Sequence, residues 1–283
     1  MPSEAKEWSW EIKPATNIPH INLKELWRYK DLLVRLVKRD HVVSYRQTIL
    51  GPVWVFLEPL IATYVYFLIF TGIMKVPTGN IPPAIFFLSG IVIWTYFSDT
   101  VTGISYTFYQ NASIFGKVYF PRIIVPMSIA ISKMSRLGIQ LLMLVAMYIF
   151  FVAKGVPLRP GIYMLLVPVL ILFTALYSVG VGLILAAMAA RYRDVQNLMM
   201  FVIRLLMFAT PVFYPYSLVD EKYRLLIGLN PLTPILEAFR IALFNSGSVS
   251  LVHMLYSAVS IIITFILGII LFGRVEQNVV DTV

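Results

Sequence analysis

The chain has 283 residues, of which 59% are hydrophobic and only 13% charged, about half the charge of a soluble domain. Mean hydropathy is +0.81, and the net charge of +9 comes from 23 basic against 14 acidic side chains. These figures exclude an ordinary soluble globule, a disordered tail and a disulfide scaffold, and leave an all-α polytopic membrane protein. The basic excess reads as the Lys/Arg bias of cytoplasmic loops, not as a nucleic-acid surface. With no Cys in the sequence, thiol catalysis, cysteine-ligated zinc and disulfides are excluded.

Charges recur every few positions up to Arg46, so the first 50 residues hold no apolar signal core and the N-terminus is expected uncleaved and cytoplasmic. Residues 1–21 are assigned to a tail, and 22–50 to an interface segment with an amphipathic helix over 22–46. Asn22 and Glu25 have the spacing of a capping box, with Ile21 and Leu26 as its apolar staple. Leu26, Tyr29, Leu33, Leu36 and Val37 fall on one stripe, while Arg28, Arg35, Lys38 and Arg39 lie largely elsewhere. Such a helix serves as a lipid-surface anchor or as a lever for a cytoplasmic partner. Gly51-Pro52 then breaks it.

A spanning helix needs about 20 apolar residues, and six stretches qualify: about 52–73, 83–107, 123–152, 160–190, 198–214 and 252–273. Residues 274–283 are left as a C-terminal tail. With both termini inside, 17 of the 23 basic residues fall on the cytoplasmic side, as the positive-inside rule requires. Between the fifth and sixth spans, residues 215–247 are too polar to cross and too apolar for a plain loop. Two short helices, about 218–228 and 234–244, punctuated by Asn230-Pro231 and Thr233-Pro234, make either a surface linker or a re-entrant hairpin on the outer side.

No His pair has metal spacing, and no phosphate-binding loop of the form G-x-x-x-x-G-K-[ST] occurs. The chain is therefore not expected to hydrolyse ATP by itself. Glu58 and Asp99 lie inside spans, where an ionisable group marks a transport path or an interface. Ser178, Gly182, Ala186 and Ala190 recur every four residues, a face on which helices approach closely. Aromatic residues crowd the first, second and fifth spans. Trp94 and Tyr96 lie near mid-span, where core packing and stacking on sugars are the two uses.

Arg46-Gln47-Thr48-Ile49-Leu50-Gly51-Pro52-Val53-Trp54, Tyr119-Phe120-Pro121-Arg122, Arg191-Tyr192-Arg193-Asp194-Val195, Thr210-Pro211-Val212-Phe213-Tyr214-Pro215 and Asn230-Pro231-Leu232-Thr233-Pro234 occur in this order. Together they resemble the membrane subunit of type-2 ATP-binding-cassette exporters, specifically the polysaccharide and O-antigen exporter permeases, over about residues 22–274. The resemblance implies a homodimer in the bacterial inner membrane, bound to two copies of a separate ATPase subunit that holds ATP and Mg. It implies that Arg28, Arg35, Lys38 and Arg39 of the surface helix, with Asn111, Lys117, Tyr119, Pro121 and Arg122 of the first cytoplasmic loop, receive the ATPase stroke. The first and fifth spans would line the conduit, through Trp54, Tyr64, Phe67, Phe201, Phe208, Phe213 and Tyr214. Asn230, Pro231, Pro234, Glu237, Phe239 and Arg240 would form the outer gate. The implied cargo is a glycan on a polyprenyl-pyrophosphate lipid, with Arg46, Lys117 and Arg122 as candidates for its diphosphate. A teichoic-acid or capsule exporter shares the same frame, and a membrane-embedded lipid-handling enzyme is the alternative of another class.

Overall fold

The computed structural model describes residues 27–45, 51–79, 81–115, 120–158, 161–192, 194–247 and 249–280, and these are helical, without strands. Helix α1 (Lys30–Tyr45) lies along α6 (Ile124–Ala153). Leu36, with Tyr29, Leu32 and Leu33, packs into a cluster with Phe120, Ile124 and Val125. The apolar stripe expected from the sequence is therefore turned onto protein. The proposed cap at Asn22 and Glu25 lies outside the described residues, as does Arg46.

Gly51, at φ +47°, makes the turn into α2 (Trp54–Tyr66), a conformation that glycine adopts without steric penalty. The helix continues as a wider coil over Phe67–Ile73, with Met74 N–H donating to Ile69 O, five residues back. Helix α3 (Pro83–Ser105) follows, then two single turns, α4 (Thr107–Gln110) and α5 (Ala112–Phe115), before α6. A short tight turn, Ile162–Leu166, leads into α7 (Val167–Arg191), with Pro168 in its first turn.

Among the described residues, five segments are long and apolar enough to cross a membrane: Trp54–Ile73, Pro83–Ser105, Ile124–Ala153, Ile162–Arg191 and Leu251–Glu276. A sixth is added if the bent pair α9 (Glu221–Gly228) and α10 (Leu232–Phe244), broken by 97°, counts as one. The stretch expected as the fifth span, 198–214, is instead α8, Asp194–Ala209. It begins four residues earlier, with Asp194 favoured by the positive end of the helix. It stops at Thr210-Pro211, because the residue before a proline is driven out of the helical region. The hairpin helices form close to the expected places, with Asp220 capping α9 through Lys222 N–H at 3.3 Å. The last helix, α11 (Leu251–Val280), runs on through most of the segment assigned to a tail.

Helix α3 is the hub of the bundle, packing on α2, α6 and α7, while α7 also carries α11. A side chain at Gly268 would meet the Gly180 carbonyl at 2.5 Å, and one at Gly182 would meet Ile104 Cβ of α3 at 2.8 Å. Close approach of backbones thus holds α11 and α3 against α7. Of the expected small-residue face, Ser178, Gly182 and Ala186 are buried and Ala190 is exposed. Trp94 and Tyr96 are core residues. Trp94 rests on Phe97, which stacks on Tyr177 at 5.4 Å.

Candidate functional site

Where α1, α2 and α6 meet, a cavity of about 270 Å³ is lined by His41, Gly51, Trp54, Val55, Glu58, Ser132, Lys133, Ser135 and Arg136. Lys133, Arg136 and the two serines share one side of α6, since residues three and four apart are neighbours on a helix. His41 Nδ1–H donates to Val37 O at 2.7 Å and its Nε2 meets Ser135 Oγ, so α1 is pinned to α6 at the cavity wall. Arg136 bridges two carboxylates on different helices, Asp99 of α3 at 2.7 Å and Glu58 of α2.

These two bonds are unequal. The Arg136 and Asp99 side chains are 23% and 28% exposed, whereas Glu58 is 61% exposed. An ion pair with a partner that open contributes at most about 1 kcal/mol. The charges in the spans therefore form an inter-helix bridge at the charged end of the bundle. A helix needs about 20 residues to cross the hydrocarbon. The 30 residues of α6 exceed that length, and Lys133 and Arg136, its tenth and thirteenth, lie in the half nearer the loop that precedes it. Lys133 makes no hydrogen bond or ion pair among the described residues.

At the same end, the residues expected to take an ATPase stroke divide. Arg28, just before α1, and Arg35 and Lys38 on it are exposed, and Arg39 pairs with its neighbour Asp40 at 2.9 Å. Pro121 is half-buried. Asn111 is buried and donates to Thr107 O at 3.0 Å, so its side chain fastens the loop to itself. Lys117 and Tyr119 lie outside the described residues. Arg122 is buried with its guanidinium over Phe115 at 5.2 Å, and its backbone N–H donates to Glu276 of α11 at 2.9 Å. The Phe115 ring and the hydrogen bond to Glu276 hold it inside, so its side chain is not exposed to a lipid diphosphate.

Among the expected wall residues, Trp54, Tyr64, Phe201 and Phe208 are exposed, and Phe67 and Tyr214 are half-buried. Phe213 is 0% exposed. It stacks on Phe70 at 5.0 Å and touches Tyr66 and Phe208, so it is a core ring and not an exposed one. The turn after α8 folds it inward, which periodicity through 198–214 could not indicate. Sequence reasoning gave little weight to Arg204, which is exposed on α8 beside Phe201, Leu205 and Phe208.

The six hairpin residues gather at the other end, stapled to the bundle. Asn230 Nδ2–H donates to Thr210 Oγ1 at 2.8 Å, and Ser257 of α11 donates to Pro231 O at 2.7 Å. Pro234, Glu237, Phe239 and Arg240 are buried. Arg240 donates to Pro211 O and Val212 O, each at 2.7 Å, pairs with Glu237 at 3.2 Å and lies over the Phe86 ring at 3.8 Å. Glu237 also accepts from Tyr216 N–H at 3.2 Å. A desolvated arginine held this way is a fixed pin.

A family model described as ABC-2 type transporter matches residues 31–244. The chain belongs to that family. The matched region of this ABC-2 permease runs from α1 to the end of α10 and so contains the cavity, the wall helices and the hairpin. The chain is 30% identical over 259 residues to an O-antigen export system permease protein RfbA of Myxococcus xanthus, covering 90% of this chain and 96% of that one. It is 26% identical over 250 residues to a protein of the same description from Klebsiella pneumoniae, covering 88% and 93%. The fold of this family member is thus that of a multi-pass transporter membrane subunit.

Proposed function

We propose that this chain is the membrane subunit of an ATP-driven exporter that moves a lipid-linked polysaccharide of O-antigen type across the bacterial inner membrane. Two copies would pair, powered by two copies of a separate ATPase subunit that binds ATP and Mg. The observation that carries this reading is the pairing of whole-length similarity to O-antigen export permeases with charge on the loosely packed helices. Glu58 on α2 and Arg204 on α8 are both exposed. A charge carried on a membrane-spanning helix faces water-filled space or protein, not lipid, so these faces suit a polar conduit between two protomers.

In this arrangement α2, α3, α6, α7, α8 and α11 are the six spans, and both termini are cytoplasmic. Helix α8 would cover about 24 Å at 1.5 Å per residue, and the α9–α10 hairpin would close the outer end. Arg28, just before α1, and Arg35, Lys38 and Arg39 on it, with the loop 111–122, would receive the ATPase stroke. Trp54, Tyr64, Phe201 and Phe208 would offer exposed rings along which sugar faces slide.

The test is purification of the chain from native membrane, followed by reconstitution into vesicles. A stoichiometric nucleotide-binding subunit should accompany it, and polymer should cross only when that subunit and ATP are present. Vectorial export by this chain alone, or absence of any such subunit, overturns the reading.

A further inference from the structure

We propose that the cavity between α1, α2 and α6 is the receiving site for the phosphoryl headgroup of the lipid carrier, and that Glu58 is an internal stand-in for it. The inference rests on the export function proposed above and concerns where the carrier first binds. Three observations carry it: the composition of the cavity, its volume and the inequality of the bridge. Lys133 and Arg136 supply two cations, Ser132 and Ser135 supply hydroxyls, and His41 closes the wall. Those are the donors a diphosphate needs. The cavity lies in the half of α6 nearer the loop that precedes it, and at about 270 Å³ it has room for a diphosphate with part of its first sugar. Arg122, the described residue expected to do this work, is buried under Phe115.

Glu58 makes the site switchable. With the carboxylates in place, Lys133 and Arg136 are balanced by Asp99 and Glu58. Asp99 is the more buried partner and stays on Arg136, while exposed Glu58 is displaced by an incoming phosphoryl oxygen. Displacement leaves Lys133 and Arg136, less Asp99, with one net positive charge for the ligand and breaks the only ion pair between α2 and α6 among the described residues. Helix α2, whose most apolar stretch is only 11% buried, is then free to move from α6. Binding of cargo and opening of the conduit wall become one event.

The experiment uses the full chain in complex with its ATPase subunit, titrated calorimetrically with farnesyl diphosphate, inorganic pyrophosphate and phosphatidylglycerol vesicles. Farnesyl diphosphate should bind saturably. Lys133→Gln should weaken it about tenfold and Lys133→Arg should restore it. Glu58→Gln should tighten binding several-fold, because the competitor is gone; a purely structural bridge would weaken or leave it unchanged. Loss or no change of affinity in Glu58→Gln therefore overturns the proposal. So does equal binding of inorganic pyrophosphate, or of phosphatidylglycerol, either of which would remove the lipid carrier as the occupant. Subunit association and ATP-driven export are measured on the same preparations. Their persistence alongside absent binding sinks this inference alone, and their loss in the unsubstituted complex sinks the export reading.

Discussion

Helices α3 and α2 are neighbours of similar hydropathy, yet 78% of the most apolar stretch of α3 is buried against 11% for α2. Composition makes both membrane helices. Packing makes one a hub and the other a panel attached along one edge. The difference extends to whole regions: α3, α7, α11 and the hairpin form an interlocked half, whereas α2 and α8 hold on by a few rings and one ion bridge. A transporter needs both, since something must stay fixed while something else moves.

The comparison is broken most severely at Arg240. Arg240→Ala leaves Glu237 buried without its cation and frees the Pro211 and Val212 carbonyls. A loss of about 3–5 kcal/mol is expected, read as collapse of the monodisperse peak and of the thermal midpoint in detergent. Next is a pair of matched truncations. Phe97→Ala, in the interlocked half, removes a fully buried ring and should cost about 3 kcal/mol, lost burial and residual void together. Phe208→Ala, on the exposed panel, should stay within about 0.5 kcal/mol, as lipid or partner refills the space. Equal losses for the two would erase the distinction between the halves.

A third substitution separates stability from function on the panel itself. Arg204→Leu should leave the thermal midpoint nearly unchanged and reduce ATP-driven export at least tenfold. If α8 faced lipid instead, removing the charge would stabilise the protein and spare export. The smallest effect is expected at Arg39→Ala, which removes a partly exposed pair with Asp40 and should change stability by less than about 0.5 kcal/mol.

Much of this was legible in residue order. Runs such as 124–153 announce themselves because a membrane helix must hide every backbone polar group along some 20 apolar residues. The Pro and Asn punctuation of 215–247 predicts two short helices, and two form. The end of α8 was less legible: Pro211 gives the stop, but hydropathy runs on through Phe213 and Tyr214. The charged cavity was hidden. Glu58, Asp99 and Arg136 are separated by 41 and 37 positions, so nothing local reveals that they meet. Asn111 and Arg122 are singled out by position alone, and that both side chains are buried, Asn111 on Thr107 O and Arg122 over Phe115, shows only in three dimensions.

Sequence alone determined the solvent, the helical class, the family and the places where helices break, because hydropathy and backbone sterics act over a turn or two of chain. Tertiary structure alone decided which aromatic rings are buried and which are exposed, which arginine is a pin and which is exposed, and which carboxylates meet across helices. Those properties depend on what faces a side chain across space, and the same Phe or Arg is written identically in either role.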